Sequence, residues 1–535
     1  MAKIYLLDCT LRDGAYVVDG KFGEPAMKGI LQKLQDADID ILECGWLKND
    51  NYVKGTTFYH VPDDICPYIP KKKENVTYVA MIDWDRYNLE YLPICNGHTI
   101  DAIRVVFPFG KYKEGIAVGK IIEKKGYRVF YQAANTLAYS DEDLKCLAEE
   151  LNTTRAESIS IVDAFGAMYE DDLERIAQIL DANLKPEIKM GFHSHNNQQL
   201  SFALSIRFAN MLKFSERDIV IDASLCGMGR GAGNTTTELM ANYLNLRFNK
   251  HYDMDAIMDV IDIYMSFFQE NYSWGYSTSY FIAGMYCCHV NNILYLLSNH
   301  RTNARDMRNI IATMEPEDRR RYNYDLLEKK YLDNENRKID DKEAVQEIRQ
   351  EIGSRPVLLV APGASLLKQK QHIEELIEKK HPVIIGVNAM IEGYNYDYVF
   401  FVNSARYEYA ENVHEKKFGL VNKILLSNIK SKGKNERIIN YNSVIKRGWT
   451  HYDNAVICAL RLMERLCVKR IFLAGFDGFK TKYNESYADP YLPSLNPNNQ
   501  WDELNKEIKE MFSDFKQNMI NIEKIDFVTN SIYDV

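Results

Sequence analysis

Three short motifs contain the residues best suited to chemistry. In GFHSHNN (191–197), His193 and His195 stand two apart at the end of an apolar run. If that run is a strand, both imidazoles point to one face. Two neutral imidazoles on one face can grip a transition metal. The competing reading is a pair of hydrogen-bonded polar groups. In LLDCTLRDG (6–14) an apolar run ends in Arg12 and Asp13. A carboxylate beside a fixed cation can be an anionic metal ligand, or it can close a salt-bridged turn. In CGMGRGAGNTTTE (226–238), glycines 227, 229, 231 and 233 allow close backbone approach and positive φ. Asn234 then offers a neutral oxygen ligand. Each motif alone has a bland explanation, but together, each at the end of an apolar run, they point to one site.

The elements that must position them are visible as eight apolar runs. These are KIYLLDCT, DILECGW, VTYVAMID, AIRVVFP, YRVFYQAAN, SISIVDAFG, IKMGFHSH and IVIDASLCGMG, which begin at Lys3, Asp40, Val76, Ala102, Tyr127, Ser158, Ile188 and Ile219. Stretches of helical periodicity such as AMKGILQKLQDAD and DEDLKCLAEELN separate most of them. Near-continuous apolar strands joined by helices read as parallel strands buried on both faces. Eight units in succession predict a closed (β/α)₈ TIM barrel over residues 1–300. Asp13, Glu43, Asp83, Asn135, Asp163, His193, His195 and Asn234 fall at or just after the run ends, where a barrel has its active site. Arg104, inside AIRVVFP, reads as barrel packing or a salt bridge. The aromatic helical stretch 252–297 reads as a cap over the barrel and as the surface of a homodimer.

Residues 301–353 are rich in both charge signs and poor in strand formers, which predicts a charged helical linker. A new α/β pattern follows over 354–535, with PVLLVAPG, PVIIGVN, DYVFFVN, KILLSN, ERIIN and KRIFLAGFDG as short strands. It predicts a doubly wound, Rossmann-like domain. In VLLVAPGASL, a strand, a tight turn and a helix start in succession offer free backbone N–H groups that would suit a phosphate. The bland reading is an ordinary βα turn.

The bulk numbers narrow the partners. The net charge of −9 over 535 residues gives no electrostatic reason to seek nucleic acid or anionic lipid. No segment approaches the ~20 apolar residues of a membrane span. The N-terminus reads as a strand entering a charged turn rather than a cleaved leader. Ten cysteines without a repeating spacing predict reduced thiols and a cytoplasmic protein.

The order RDG, HxH, GxGxxxGN resembles the metallolyase superfamily of TIM barrels, which includes 4-hydroxy-2-oxovalerate aldolase, hydroxymethylglutaryl-CoA lyase and the isopropylmalate and homocitrate synthases. DCTLRDG, VDAFGAM, HSHNN and GMGRGAGNTTTE are most similar to the aldolases. The resemblance implies a C–C lyase acting on a 2-oxo acid and an aldehyde. It implies Asp13, His193 and His195 as ligands of a divalent metal, with Asn234 as a further one. Mn²⁺ is expected first, then Mg²⁺, Co²⁺ or Zn²⁺. It gives Arg12 to the enolate oxygen, Glu43 to positioning polar groups, and Tyr280 to a place over the substrate. One departure stands out. Those aldolases have an acid/base histidine shortly after RDG, and Tyr16 stands near that place here. A phenol of pKa ~10 is a poorer base near neutrality. Two alternatives therefore stay open: a Claisen-type acyl-CoA synthase of the same superfamily, and a barrel that binds metal without catalysis.

The C-terminal part is similar to a Rossmann-like family that includes hydroxymethylpterin pyrophosphokinase, motility accessory factors and some sialyltransferases. The similar pieces are VAPGASL, IIGVNAM, DYVFFVN, NAVICALRLMERL and IFLAGFDG. This implies handling of a nucleotide or nucleotide-sugar by Gly363, Ser365, Asn388 and Asp477. A fusion of the two implies a bifunctional enzyme of surface-polysaccharide or acidic-sugar biosynthesis.

Overall fold

The computed structural model describes residues 2–300, 302–335, 339–433, 435–480, 485–493 and 501–534. They form two compact units, one of residues up to 293 with 315–321, the other of 294–314 with the chain from 322 onward. The charged stretch after the barrel is thus divided between the two units.

The first unit is built on β1 (Ile4–Asp8), β2 (Ile41–Leu47), β3 (Phe58–Tyr59), β4 (Thr77–Asp83), β5 (Ala102–Phe107), β6 (Arg128–Ala133), β7 (Ser158–Asp163), β8 (Lys189–Ser194) and β9 (Ile219–Ala223). Apart from β3, each strand falls inside one of the eight apolar runs, save that β2 extends one residue past its run to Leu47. All pair in parallel, and β1 pairs with both β2 and β9, so the sheet closes into a TIM barrel. The two-residue β3 lies beside β2 outside the closed ring. The helices between strands bury one stripe each. In Glu24–Asp36 the stripe is Met27, Ile30, Leu31 and Leu34, at helical spacing, with Pro25 pre-set for the first turn. In Asp141–Leu151 the Ser140 hydroxyl caps the helix by accepting from the Asp143 amide at 3.2 Å.

Strand alternation sorts the barrel interior into layers. Leu7, Ile41, Val79, Ala102, Phe130 and Val220 form an apolar plug. Two residues further along their strands come Glu43, Arg104, Gln132 and Asp222, all buried. The plug excludes water from below, so this polar layer must satisfy itself.

The aromatic stretch after the barrel divides in two. Helix Met254–Val260 and its continuation through a π-turn (Ile261–Met265) pack on the outer flank of the barrel. Gly29 makes room there, since a Cβ on it would lie 1.9 Å from the Tyr264 ring. Only the later part reaches the mouth: Trp274 Nε1 donates to the Cys226 carbonyl at 2.9 Å.

The second unit contains β10 (Val357–Val360), β11 (Val383–Val387), β12 (Tyr398–Phe401), β13 (Asn422–Leu426), β14 (Glu436–Ile439), β15 (Arg470–Ala474) and β16 (Lys524–Phe527). They form one parallel sheet in the order β14-β13-β12-β11-β10-β15-β16. Alternate residues of β10 enter different cores, Val357 and Leu359 on one face and Leu358 and Val360 on the other. Helices therefore cover both faces, and the strand order reverses between β10 and β15. Among the described residues no helix is long and apolar enough to cross a membrane. All ten cysteines are free.

The Gly29 contact gives a test of the flank packing. Gly29→Ala should lower stability by ~1–3 kcal/mol through overpacking, against the gain in helix propensity. Urea unfolding should show this loss, and Tyr264→Ala in the same chain should recover much of it.

Candidate metal centre

The first and last loops of the barrel are tied together before any ligand is considered. After β1 the chain makes one helical turn, Thr10–Asp13. The Thr10 hydroxyl accepts from the Leu225 amide at 2.8 Å, and Asp8 accepts from the Thr237 hydroxyl at 2.6 Å. His195, just past β8, bridges in antiparallel fashion to Asn234, and the Asn196 amide donates to Gly233 at 2.8 Å. The glycine loop is needed for this closeness. A Cβ on Gly229 would lie 2.3 Å from Asn234 Nδ2 and 2.5 Å from Asp13 Oδ2. Gly229 does not have a positive φ, so sterics alone require glycine there.

Asp13, His193 and His195 converge so that one ligand atom from each lies within 4.8 Å of the others. All three are buried, at 1%, 3% and 8% exposure. His193 Nδ1 pairs with Asp222 Oδ2 at 3.0 Å, which leaves Nε2 for a ligand. A carboxylate behind an imidazole fixes its tautomer and ring orientation. His195 Nδ1 is 3.8 Å from Asp13 Oδ2 and makes no hydrogen bond. Asn234 donates to Asp13 Oδ2 at 2.7 Å, while its own Oδ1 is buried without a partner. A buried amide oxygen and a buried ring nitrogen, both without partners beside a carboxylate, are costly unless a ligand such as a cation meets them.

The charge states agree. Burial pushes the Asp13 carboxyl up, but the Arg12 charge and the two imidazoles outweigh it and hold Asp13 well below the usual carboxylate range. Burial lowers His195 to about 4, against the pull of Asp13. At neutral pH the group therefore offers an anionic carboxylate and a neutral imidazole, the forms a metal requires. These residues fit a divalent cation.

Beneath them runs a continuous ionic chain. Arg12 donates from Nη1 to Asp13 at 2.6 Å and from Nε to Glu43 Oε2 at 2.8 Å. Arg104 Nη1 donates to the same Glu43 oxygen at 2.7 Å. Arg104 Nη2 donates to Gln132 Oε1 at 2.8 Å and to Asp222. Three carboxylates (Asp13, Glu43, Asp222) against two guanidiniums leave one net negative charge, which favours an added cation. Arg12 Nη2 has no hydrogen-bond partner among the described residues.

The other singled-out residues spread over the mouth. Tyr16 lies between Trp46, edge-on at 6.2 Å, and the Arg230 guanidinium, 4.6 Å from its ring centre. Although 47% of the residue is exposed, crowding around the hydroxyl raises its pKa, and Arg230 offsets this only in part. Tyr16 is a neutral phenol at pH 7. Tyr280 is half-buried in the first turn of Thr278–Met285, and its hydroxyl has no partner among the described residues. Asp163 accepts from the Ala167 and Met168 amides at 2.8 and 3.2 Å and so holds its own loop. Asn135 sits in left-handed backbone at a turn. Sequence reasoning missed Asp222, which follows Val220 at strand spacing in IVIDASL. It also missed Arg230, whose amide donates to Asp13 at 3.3 Å.

In the second unit, Gly363, Asn388 and Asp477 line a cleft at the carboxyl ends of β10, β11 and β15, with about 910 Å³ of empty space partly open to solvent. Ser365 does not line it. Its amide donates to Asp477 Oδ2 at 2.7 Å and its hydroxyl to Asp477 Oδ1 at 2.5 Å. A carboxylate thus occupies the place where this turn would have held a phosphate. The helix it opens, Ser365–Lys368, has only four residues.

Comparison with known proteins agrees with this geometry. The HMGL-like family model matches residues 112–263. A 4-hydroxy-2-oxovalerate aldolase of Burkholderia lata is 37% identical over 272 residues, 49% of this chain and 75% of the relative. One from Pseudoalteromonas translucida is 26% identical over 267 residues, 49% and 75% of the two chains. An oxaloacetate decarboxylase of Mycobacterium tuberculosis is 23% identical over 265 residues, 48% and 74%. Through its barrel the chain belongs to the HMGL-like metallolyase family, and it is a metal-dependent lyase.

The ionic layer makes Asp222 a positioning residue for His193. Asp222→Asn should weaken metal affinity ~10–100-fold, as loss of an outer-sphere carboxylate does elsewhere. Titration of the metal-stripped protein with Mn²⁺, followed by electron paramagnetic resonance, would read the change. An unchanged affinity would remove that role from Asp222.

Proposed function

We propose that the barrel is an aldolase for 2-oxo acids, making or breaking the C–C bond between a pyruvate-type donor and an aldehyde. The reading is supported chiefly by three ligand atoms within 4.8 Å in a buried site, beside the Asn234 amide oxygen, which has no partner. Asp13, His193 and His195 would hold the cation, with Asn234 Oδ1 as the further ligand. Their mixed nitrogen and oxygen donors favour Mn²⁺, with Mg²⁺, Co²⁺ or Zn²⁺ able to substitute. A divalent cation bound there supplies the positive charge that carbanion chemistry beside a 2-oxo group requires.

The chain's own residues do the rest. Arg12, fixed by Glu43 and Asp13, turns its remaining Nη2 donor toward the developing oxyanion. Tyr16, neutral at pH 7, gives a proton to the aldehyde-derived oxygen in condensation and takes one back in cleavage. Tyr280 packs over the substrate. A phenol that must lose its proton in cleavage makes that direction faster as pH rises. For the second sheet we infer a nucleotide- or nucleotide-sugar-handling role, because its cleft lies outside the carboxyl ends of parallel strands where the order reverses. The pair fits the building of an acidic sugar in the cytoplasm.

Pyruvate C3 proton exchange in D₂O, followed by NMR, tests the barrel reading without knowledge of the aldehyde. Exchange should require added metal, stop with EDTA and fall more than ~100-fold in His195→Ala, exceeding the loss typical of outer-sphere changes. Tyr16→Phe should leave exchange in place while slowing the aldol step. Exchange that persists in EDTA, or never appears with any of the four metals, would count against the proposal.

A further inference from the structure

The cleft of the second unit contains a cation that the protein itself leaves unanswered. Arg406 is 6% exposed and lines the cleft from the first turn of helix Ser404–Val413. Its guanidinium lies 4.8 Å from the centre of the Tyr487 ring, which holds it in place. Buried Nη1 has no hydrogen-bond partner. Among the described residues no carboxylate forms an ion pair with it. Burying a guanidinium unpaired is costly, so a ligand that neutralises it regains that cost on binding.

The neighbouring side chains have the same polarity. Asn388 Oδ1 accepts from the Val402 amide at 3.1 Å, and Asn403 Oδ1 from the Arg406 amide at 3.0 Å. Asn454 Oδ1 accepts from the Val456 and Ile457 amides at 3.1 and 3.2 Å. Each of these three lining asparagines has its acceptor engaged by backbone, and its Nδ2 has no partner among the described residues. The cleft wall is therefore rich in donors. Asn403 and Asn454 also begin helices of ten and eleven residues, whose positive ends face the same region. Of the two lining acids, Asp477 already has both oxygens on Ser365; the other is Asp453.

We propose that this cleft binds the phosphate group of a small phosphate ester, with Arg406 as the ionic anchor and the amide groups of Asn388, Asn403 and Asn454 as donors to its oxygens. A tetrahedral group with several acceptor oxygens matches donors converging from three elements, and it complements the guanidinium charge. The proposal deepens the nucleotide reading of the second sheet and moves its anion contact from the Ser365 turn to Arg406.

Calorimetry on the full chain tests it, with pyrophosphate, the four ribonucleoside 5′-monophosphates and citrate as probes. At least one phosphate probe should bind saturably, more tightly than citrate. Affinity should fall at least tenfold in Arg406→Gln and recover in part in Arg406→Lys. Asn388→Asp and Asn403→Asp keep the accepted backbone bond and replace a donor with a negative charge, so they should also weaken binding tenfold or more. These two decide the matter if Arg406→Gln does not fold, with circular dichroism as the check. Binding that all of the folded variants leave unchanged would overturn the Arg406 site while the nucleotide reading survives. Absence of binding by every phosphate probe would overturn both. Citrate binding as tight as phosphate and equally dependent on Arg406 would overturn the phosphate assignment.

Discussion

Arg104 sits at the centre of the barrel with almost no exposure, and its charge has nowhere to go but Glu43 and Asp222. Removing one partner of such a buried pair typically costs ~3–5 kcal/mol, because the other charge is stranded. That constraint fixes the interior. Glu43 cannot turn away without taking from Arg104 one of its two carboxylates, so it also fixes Arg12, which shares its Oε2. Asp222 cannot turn away either, so it keeps His193 Nδ1 engaged and Nε2 available. The candidate ligands are thus held from below through contacts that no bound ion has to provide. The apolar plug under the ionic layer keeps water from loosening it.

The same chain of charges sets the polarity of the site. Positive and negative groups alternate from Asp13 through Arg12, Glu43 and Arg104 to Asp222, and the sum is one negative charge. The mouth above it has Arg230 over Tyr16, so an anionic ligand would meet a positive charge there while a cation is favoured underneath. This arrangement separates two tasks that a single cluster would confuse. Neutral Tyr16 and neutral His195 complete it, since neither competes with the cation by adding charge of its own.

Much of this was legible in the sequence, and the reason is periodicity. Strand alternation alone places His193 and His195 on one face and puts the polar run ends at one barrel mouth. All eight apolar runs contain a barrel strand, and the first three motifs meet where expected. What alternation does not reveal is which buried polar residue answers which. Arg104 and Asp222 come from strands that are distant in sequence, and their pairing depends on how the barrel closes. Arg230 stands in a glycine string whose spacing signals only backbone freedom, whereas at Gly229 the requirement is steric. In the second unit β16 escaped notice because its four residues, KIDF, alternate charge with apolar side chains and lack the near-continuous apolar run of a buried parallel strand. A Pro-Gly βα turn leaves N–H groups that resemble a phosphate cradle, and only the fold shows that the Ser365 amide already donates to Asp477.

The central claim is that two imidazoles and a carboxylate, supported by a buried ionic chain, form a divalent-cation site for 2-oxo acids. Anomalous diffraction from crystals soaked with Mn²⁺ and pyruvate addresses it most directly. The account predicts one strong peak within coordination distance of Asp13, His193 and His195, with density for the 2-oxo acid beside it and Arg12 in contact. A peak elsewhere in the barrel, or none at this site with well-ordered side chains around it, would contradict it.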